Sequence, residues 1–74
     1  MISHAQVIAR LREARFTFVS RQRHTELWRQ QGGVRRVSVP RRDCFLEDEA
    51  AVILKQAGLT QAQIERFLAA AIKS

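Results

Sequence analysis

The sequence predicts a small α+β domain, in which one helix is followed by a three-stranded antiparallel sheet and two C-terminal helices. Apolar residues recur at helical spacing behind capping signals near both ends of the chain, whereas residues 16–39 alternate as strands do. Gly32-Gly33 and Pro40 supply a turn and a stop for this alternating stretch. Because 74 residues leave room for only one hydrophobic core, we expect a single domain over residues 1–74.

The first helix is predicted to begin just after Ser3 and to end near Arg15. Ser3 and Gln6 have the spacing of a capping box, and Ile2 and Val7 have that of a hydrophobic staple. Its apolar stripe is formed by Val7, Ile8, Leu11 and Ala14.

Three strands are predicted next, over Phe16–Arg21, His24–Gln30 and Val34–Val39. On the first strand, Phe16 and Phe18 share one face. Strand parity groups Trp28 with His24 and Glu26, and it leaves open whether this set or its neighbours face the helices. Trp28 can therefore be a core residue or an exposed aromatic that stacks on a base.

Two helices complete the prediction. The second helix should close at Gly58, which can adopt the left-handed backbone conformation. Thr60 with Gln63 forms another capping box, and Leu59 with Ile64 another staple. The inward residues of the two helices are Leu46, Ala50, Ile53, Leu54 and Ala57, then Ile64, Phe67, Leu68 and Ala71.

The net charge of +6 is confined to residues 21–42. Glu26 is the only carboxylate in this stretch, and the rest of the chain carries six basic and six acidic side chains that cancel. The stretch contains seven arginines: Arg21, Arg23, Arg29, Arg35, Arg36, Arg41 and Arg42. Arginine-covered strands suit a nucleic-acid backbone. A solvated basic surface without a specific ligand explains the same charge pattern.

His24 is the candidate for proton transfer, because it lies among the arginines and because RNA cleavage requires deprotonation of a 2′-hydroxyl beside a phosphate. The alternative is an exposed surface histidine. No metal site is expected, since His4, His24 and Cys44 lack ligand spacing. No cofactor is expected either, because Gly32-Gly33 joins two strands and does not open a helix. Cys44 is more simply a structural thiol than a nucleophile.

Four segments between Val7 and Leu59 occur in an order and spacing that resemble a known family. They are Leu11-Arg12-Glu13-Ala14-Arg15-Phe16, Arg21-Gln22-Arg23-His24-Thr25-Glu26-Leu27-Trp28, Val37-Ser38-Val39-Pro40 and Ile53-Leu54-Lys55-Gln56-Ala57-Gly58-Leu59. The chain resembles the HicA (YcfA-like) mRNA-interferase toxins. This resemblance implies a double-stranded-RNA-binding-domain-like fold, ribonuclease activity on mRNA and a HicB-like antitoxin partner.

If the protein cleaves RNA, His24 is the candidate general base, and the candidate RNA-binding residues of the basic stretch are Arg21, Arg23, Arg29, Arg35 and Arg36. An alignment anchored on Phe16 and Trp28 places Thr25 at the family's histidine position, one residue after His24. Neighbouring strand residues point to opposite faces, so a bulge would be needed to bring His24 into that role. A catalytically silent RNA-binding or protein-interaction module is therefore the alternative.

The sequence also predicts a cytoplasmic protein that does not enter a membrane. No apolar run approaches the roughly 20 residues that a membrane-spanning helix requires. The N-terminal residues do not resemble a secretion signal, and a single cysteine excludes an intrachain disulfide.

Overall fold

Three helices and a three-stranded antiparallel sheet form the structure, which confirms the predicted α+β class. The computed structural model describes residues 1–73. In chain order the elements are β1 (Ile2–Ser3), α1 (His4–Glu13), β2 (Phe16–Arg21), β3 (Thr25–Gln30), β4 (Arg36–Pro40), β5 (Cys44–Phe45), α2 (Glu47–Gln56) and α3 (Gln61–Lys73).

The capping signals read from the sequence are confirmed at α1 and α3. At α1, the Gln6 amide donates to Ser3 Oγ at 3.1 Å, and the Ser3 amide donates to Gln6 Oε1 at 2.9 Å. At α3, Thr60 and Gln63 exchange the equivalent pair of hydrogen bonds. Each pair satisfies amides that a helix start leaves without intrahelical partners.

Gly58 ends α2 as predicted. Its φ of +89° is left-handed, and the Leu59 amide donates to the Leu54 carbonyl at 3.2 Å while the Gly58 amide donates to Lys55 at 3.0 Å. This pair of bonds is the Schellman arrangement.

The two-residue strands β1 and β5 are too short to show an alternating pattern, and the sequence did not predict them. They pair antiparallel, with Ile2 opposite Phe45 and Ser3 opposite Cys44. Both Ile2 and Phe45 are fully buried. The His4 amide extends the contact by donating to the Asp43 carbonyl at 2.9 Å. This pairing fixes the first residue of α1 beside the sheet.

The main sheet has the strand order β2-β3-β4, and its inner face packs against the helices. Trp28, Val37 and Val39 on this face are buried, as is Phe16. The strand register settles the question of parity, because Trp28 and Glu26 face the helices. The outer face, which turns away from them, carries Thr17, Ser20, Thr25, Leu27, Arg29, Arg36 and Ser38.

Three strand boundaries differ from the predicted ones, and one of them is the end of β4, which includes Pro40. β3 begins at Thr25 and β4 at Arg36, so His24 lies in the loop after β2, and Val34 lies in the turn before β4. The turn is longer than two glycines would require. Gly32 adopts a φ of +75°, the ladder is closed by the Gln30 amide donating to the Arg35 carbonyl, and Val34 is 96% exposed.

A β-bulge at Val19 interrupts β2. Phe18 pairs with Trp28 and Ser20 pairs with Leu27, so Val19 has no partner on β3. The extra residue resets the alternation: Ser20 moves to the outer face, and Arg21 turns to the inner face opposite Glu26.

The core lies between the inner face and the helices, and it includes Val7, Ile8 and Leu11 of α1 and Ala50, Ile53, Leu54 and Ala57 of the second predicted stripe. Phe67 and Leu68 of α3 are partly buried against it. The inward position predicted for Leu46 is wrong, because Leu46 is the residue before the first turn of α2 and is 54% exposed. Among residues 1–73, no helix is both long enough and apolar enough to cross a bilayer.

Candidate functional site

The five arginines predicted to bind RNA do not share one face of the sheet. Arg29 and Arg36 lie on the outer face as neighbours on β3 and β4. Arg23 lies in the loop between β2 and β3, and Arg35 lies in the turn before β4. Arg21 faces the helices because of the bulge at Val19.

Arg29 and Arg36 are directly opposite each other at a position where side chains come close together. The bonds from the Gln30 amide to Arg35 and from the Arg41 amide to His24 fix which pairs in the ladder are hydrogen-bonded. By alternation, Arg29 and Arg36 form a non-hydrogen-bonded pair, in which Cα atoms are about 4.5 Å apart. Two guanidinium groups are thus placed next to each other on an exposed surface.

No carboxylate neutralises this arginine pair within residues 1–73. Among those residues, only the side chains of His4, Arg21 and Arg42 contact a carboxylate. Like charges directly opposite each other on a sheet destabilise it. A bound anion between Arg29 and Arg36 would remove that repulsion, and the hydroxyls of Ser20 and Ser38 in the next row of the outer face could donate to the same ligand.

The loop between β2 and β3 is held by Arg41. Arg41 Nη1 donates to the carbonyls of Gln22 at 3.0 Å and Arg23 at 3.3 Å, while its amide donates to the His24 carbonyl at 3.0 Å. The His24 side chain is exposed, and its imidazole forms no hydrogen bond within the part of the chain that the structure describes. Thr25 begins β3 opposite Pro40 on the outer face.

The bulge that would be needed to re-aim His24 is absent from β3, whose pairing with β4 runs without interruption from Thr25 to Arg29. His24 itself lies outside β3, in the loop that follows β2. Thr25 Oγ1 donates to Gln22 Oε1 at 3.4 Å.

A second cluster, which sequence reasoning missed, joins α1 to the inner face. The His4 and Glu26 side chains meet at 2.8 Å, with His4 Nε2 on Glu26 Oε1. Arg21 Nη2 donates to the other oxygen of Glu26 at 3.4 Å. The Glu26 side chain is only 8% exposed, whereas that of His4 is 29% exposed. The one signal of this cluster in the sequence is that Glu26 lies two positions before Trp28 and so shares its face of the strand. A carboxylate on a buried face requires hydrogen-bonding partners.

This cluster forms one wall of an open groove of about 730 Å³, here called the α1–β2 groove. The groove is lined by His4 and Arg12 from α1, Phe18 and Arg21 from β2, and Glu26 and Trp28 from β3. Phe18 stays 49% exposed and meets the Trp28 ring edge-on, with centroids 5.7 Å apart. The guanidinium carbon of Arg12 lies 5.6 Å from the centroid of Trp28. The groove thus combines aromatic and cationic groups.

No group of three His, Cys, Asp or Glu side chains within residues 1–73 is arranged to hold a metal ion. Cys44 is partly buried, and its thiol contacts Met1 Sδ at 3.7 Å.

Comparisons with protein-family models, curated proteins and solved structures found no match for this chain. The resemblance to HicA toxins therefore stays a prediction. The proposals below depend on the geometry of this chain's own residues.

Proposed function

We propose that the protein binds single-stranded RNA through the outer face of the sheet. The observation that carries this proposal is the unneutralised Arg29–Arg36 pair, whose guanidinium groups are neighbours across two strands. Guanidinium groups bind phosphate oxygens through paired hydrogen bonds and stay charged at cellular pH. A phosphate that contacts both side chains converts their mutual repulsion into two attractive contacts.

The rest of the outer face suits a nucleic-acid strand rather than an isolated ion. Hydroxyl groups of Ser20 and Ser38 lie in the row of the outer face next to the arginine pair, and such groups commonly contact phosphate and sugar. Arg23 lies in the loop at one end of the sheet and extends the positive surface beyond the length of one phosphate. The Arg35 side chain lies instead on the helix side, against Gly58 at the end of α2.

The HicA resemblance extends the proposal to an mRNA-cleaving toxin with a HicB-like antitoxin that competes for this surface. In that form, His24 is the general base and the arginines stabilise phosphate charge. The second candidate is a silent RNA-binding module. Two observations favour a silent module over an active ribonuclease: the His24 imidazole is exposed and, within residues 1–73, unpaired, and the next residue is a threonine. Neither observation bears on whether the protein binds RNA.

Salt titrations of RNA affinity test the proposal. If about four phosphates of a single strand are neutralised, log K should fall with log salt with a slope of about −3. The double variant Arg29→Gln, Arg36→Gln should bind weakly and lose about 0.7 from the magnitude of that slope, which is the share of the one phosphate that the pair binds. The matched control is Arg66→Gln, Lys73→Gln, which removes the same charge from α3 and should retain the wild-type slope.

Equal loss of affinity in the two double variants would show that only net charge matters and would contradict a site on the outer face. Affinity that hardly changes between low and moderate salt would contradict nucleic-acid binding altogether.

A further inference from the structure

The α1–β2 groove contains groups that RNA binding on the outer face does not use. It lies on the helix side of the sheet, so the two surfaces are separated by the sheet itself. The groove brings together a buried donor, a carboxylate-bound imidazole, an exposed aromatic ring and two guanidinium groups.

The buried donor is the indole N–H of Trp28. Trp28 is only 3% exposed, and its Nε1 is a buried polar atom without a hydrogen-bond partner among the described residues. Indole N–H groups in protein interiors normally have an acceptor, because leaving a buried donor unpaired is unfavourable. Because Trp28 lines the α1–β2 groove, a ligand in the groove whose ring carries acceptor nitrogens is the candidate partner for this N–H.

The imidazole is oriented by Glu26. Because Nε2 of His4 donates its proton to the carboxylate in the neutral ring, Nδ1 is left as an acceptor. Nδ1 has no partner within residues 1–73, and the ring is partly exposed at the groove. It is therefore placed to accept a hydrogen bond from a ligand hydroxyl.

Phe18 and the two arginines supply the remaining contacts. Phe18 presents half of its surface to solvent at the groove, which leaves room for a planar ring to stack on it. Arg21 is 60% exposed beyond its contact with Glu26, and Arg12 lies over the Trp28 ring. Neither guanidinium is fully occupied by a carboxylate, so both can bind a phosphate.

We propose that the α1–β2 groove is a nucleotide-binding site, with the base against Phe18 and Trp28, a ribose hydroxyl on His4 Nδ1 and the phosphate at Arg12 and Arg21. The nucleotide is either free or an unstacked residue of an RNA strand. A nucleotide matches the groove because its ring nitrogens, ribose hydroxyls and phosphate are the partners that the Trp28 N–H, His4 Nδ1 and the two arginines can bind.

The experiment is a titration of nitrogen-15-labelled protein with adenosine 5′-monophosphate, observed by two-dimensional NMR. Trp28 is the only tryptophan in the chain, so its indole N–H gives a single assigned signal from the groove. That signal should shift in a saturable manner. Adenosine and inorganic phosphate, each of which offers half of the contacts, should bind about tenfold more weakly or worse.

Three variants assign the contacts. Phe18→Ala, Arg21→Gln and His4→Gln should each weaken nucleotide binding by about fivefold or more. In His4→Gln, the amide can still donate to Glu26, but the free ring acceptor is lost. The matched controls are Val19→Ala on the same strand and Arg66→Gln on α3. Both lie outside the groove lining and should bind as the wild type does.

The RNA-site variant Arg29→Gln, Arg36→Gln separates this inference from the proposed function, because it should lose RNA affinity and keep the nucleotide-induced shift. Competition by oligoadenylate against the mononucleotide would assign the groove to a residue of the RNA, and absence of competition would assign it to a free nucleotide. An indole signal that does not move at millimolar nucleotide would overturn the inference. So would equal responses to nucleotide, adenosine and phosphate.

Discussion

Glu26 shows most clearly how one residue's role depends on its surroundings. In the sequence it is the lone carboxylate in an arginine-rich stretch. In the structure its side chain is 8% exposed and contacts both His4 and Arg21. Burial of a carboxylate is costly unless hydrogen bonds replace its water contacts, and here the two partners come from α1 and β2.

Replacing Glu26 by alanine should destabilise the fold. Hydrogen bonds to charged groups contribute about 1.5–3 kcal/mol each to stability. The 3.4 Å contact to the 60% exposed Arg21 contributes less, so the substitution should lower the free energy of unfolding by about 1.5–3 kcal/mol. Urea unfolding followed by circular dichroism measures the change. Glu65→Ala, at an exposed position on α3, is the control and should change stability by about 0.5 kcal/mol or less. If Glu26→Ala and Glu65→Ala have the same free energy of unfolding, the Glu26 contacts do not stabilise the fold.

At the level of elements, the start of α2 depends on Glu49. The Leu46 amide donates to Glu49 Oε1 at 2.8 Å, and Arg42 Nη2 donates to Glu49 Oε2 at 2.7 Å. The backbone bond from Leu46, followed by the side-chain bond from Arg42, lowers the pKa of Glu49 below its ordinary value of 4.5. Leu46 cannot cap the helix with its own side chain, so Glu49 provides this half of a capping box.

This lowered pKa gives the fold an acid-sensitive component. A carboxyl whose pKa is lower in the folded chain stabilises the fold above its unfolded pKa, and the contribution is lost as pH falls through the folded pKa. Glu49→Gln should therefore lower the melting temperature near neutral pH and flatten its decline from about pH 5 downward. Thermal melts at a series of pH values test this. Glu47→Gln, on the same first turn, is the control; if it flattens the curve equally, Glu49 has no special role.

For the whole molecule, the arrangement of charge matters more than its total. The bulge turns Arg21 towards a carboxylate, Arg41 holds a loop and Arg42 pairs with Glu49. The remaining cations at the sheet, with Arg29 and Arg36 the most crowded, have no carboxylate partner among residues 1–73. Repulsion among these cations lowers the stability of the folded state.

Added salt should therefore stabilise the free protein while it weakens RNA binding. Salt screens repulsion between exposed charges, partly for neighbouring side chains and largely at separations beyond about 8–10 Å at moderate ionic strength, so the melting temperature should rise with sodium chloride. The rise should be smaller for Arg29→Gln, Arg36→Gln than for Arg66→Gln, Lys73→Gln, although both have the same net charge. Identical salt responses in the two variants would refute crowding at the arginine pair.

The sequence by itself determined the order of the main elements, the capping boxes at Ser3 and Thr60, the end of α2 at Gly58 and the concentration of positive charge. These features depend on residues a few positions apart, so the local pattern contains the interactions that produce them. The three strands of the main sheet were predicted for the same reason, whereas β1 and β5 are too short to show the alternation of a strand.

Only the tertiary structure decided which side chains meet. The bulge at Val19 depends on how β2 matches β3, and it alone moves Arg21 from the predicted RNA-binding surface to Glu26. The contact between His4 and Glu26 spans 22 positions and requires the pairing of β1 with β5. Strand register and burial are settled by contacts between distant segments. Until those contacts form, an alternating strand can place either of its two faces against the core.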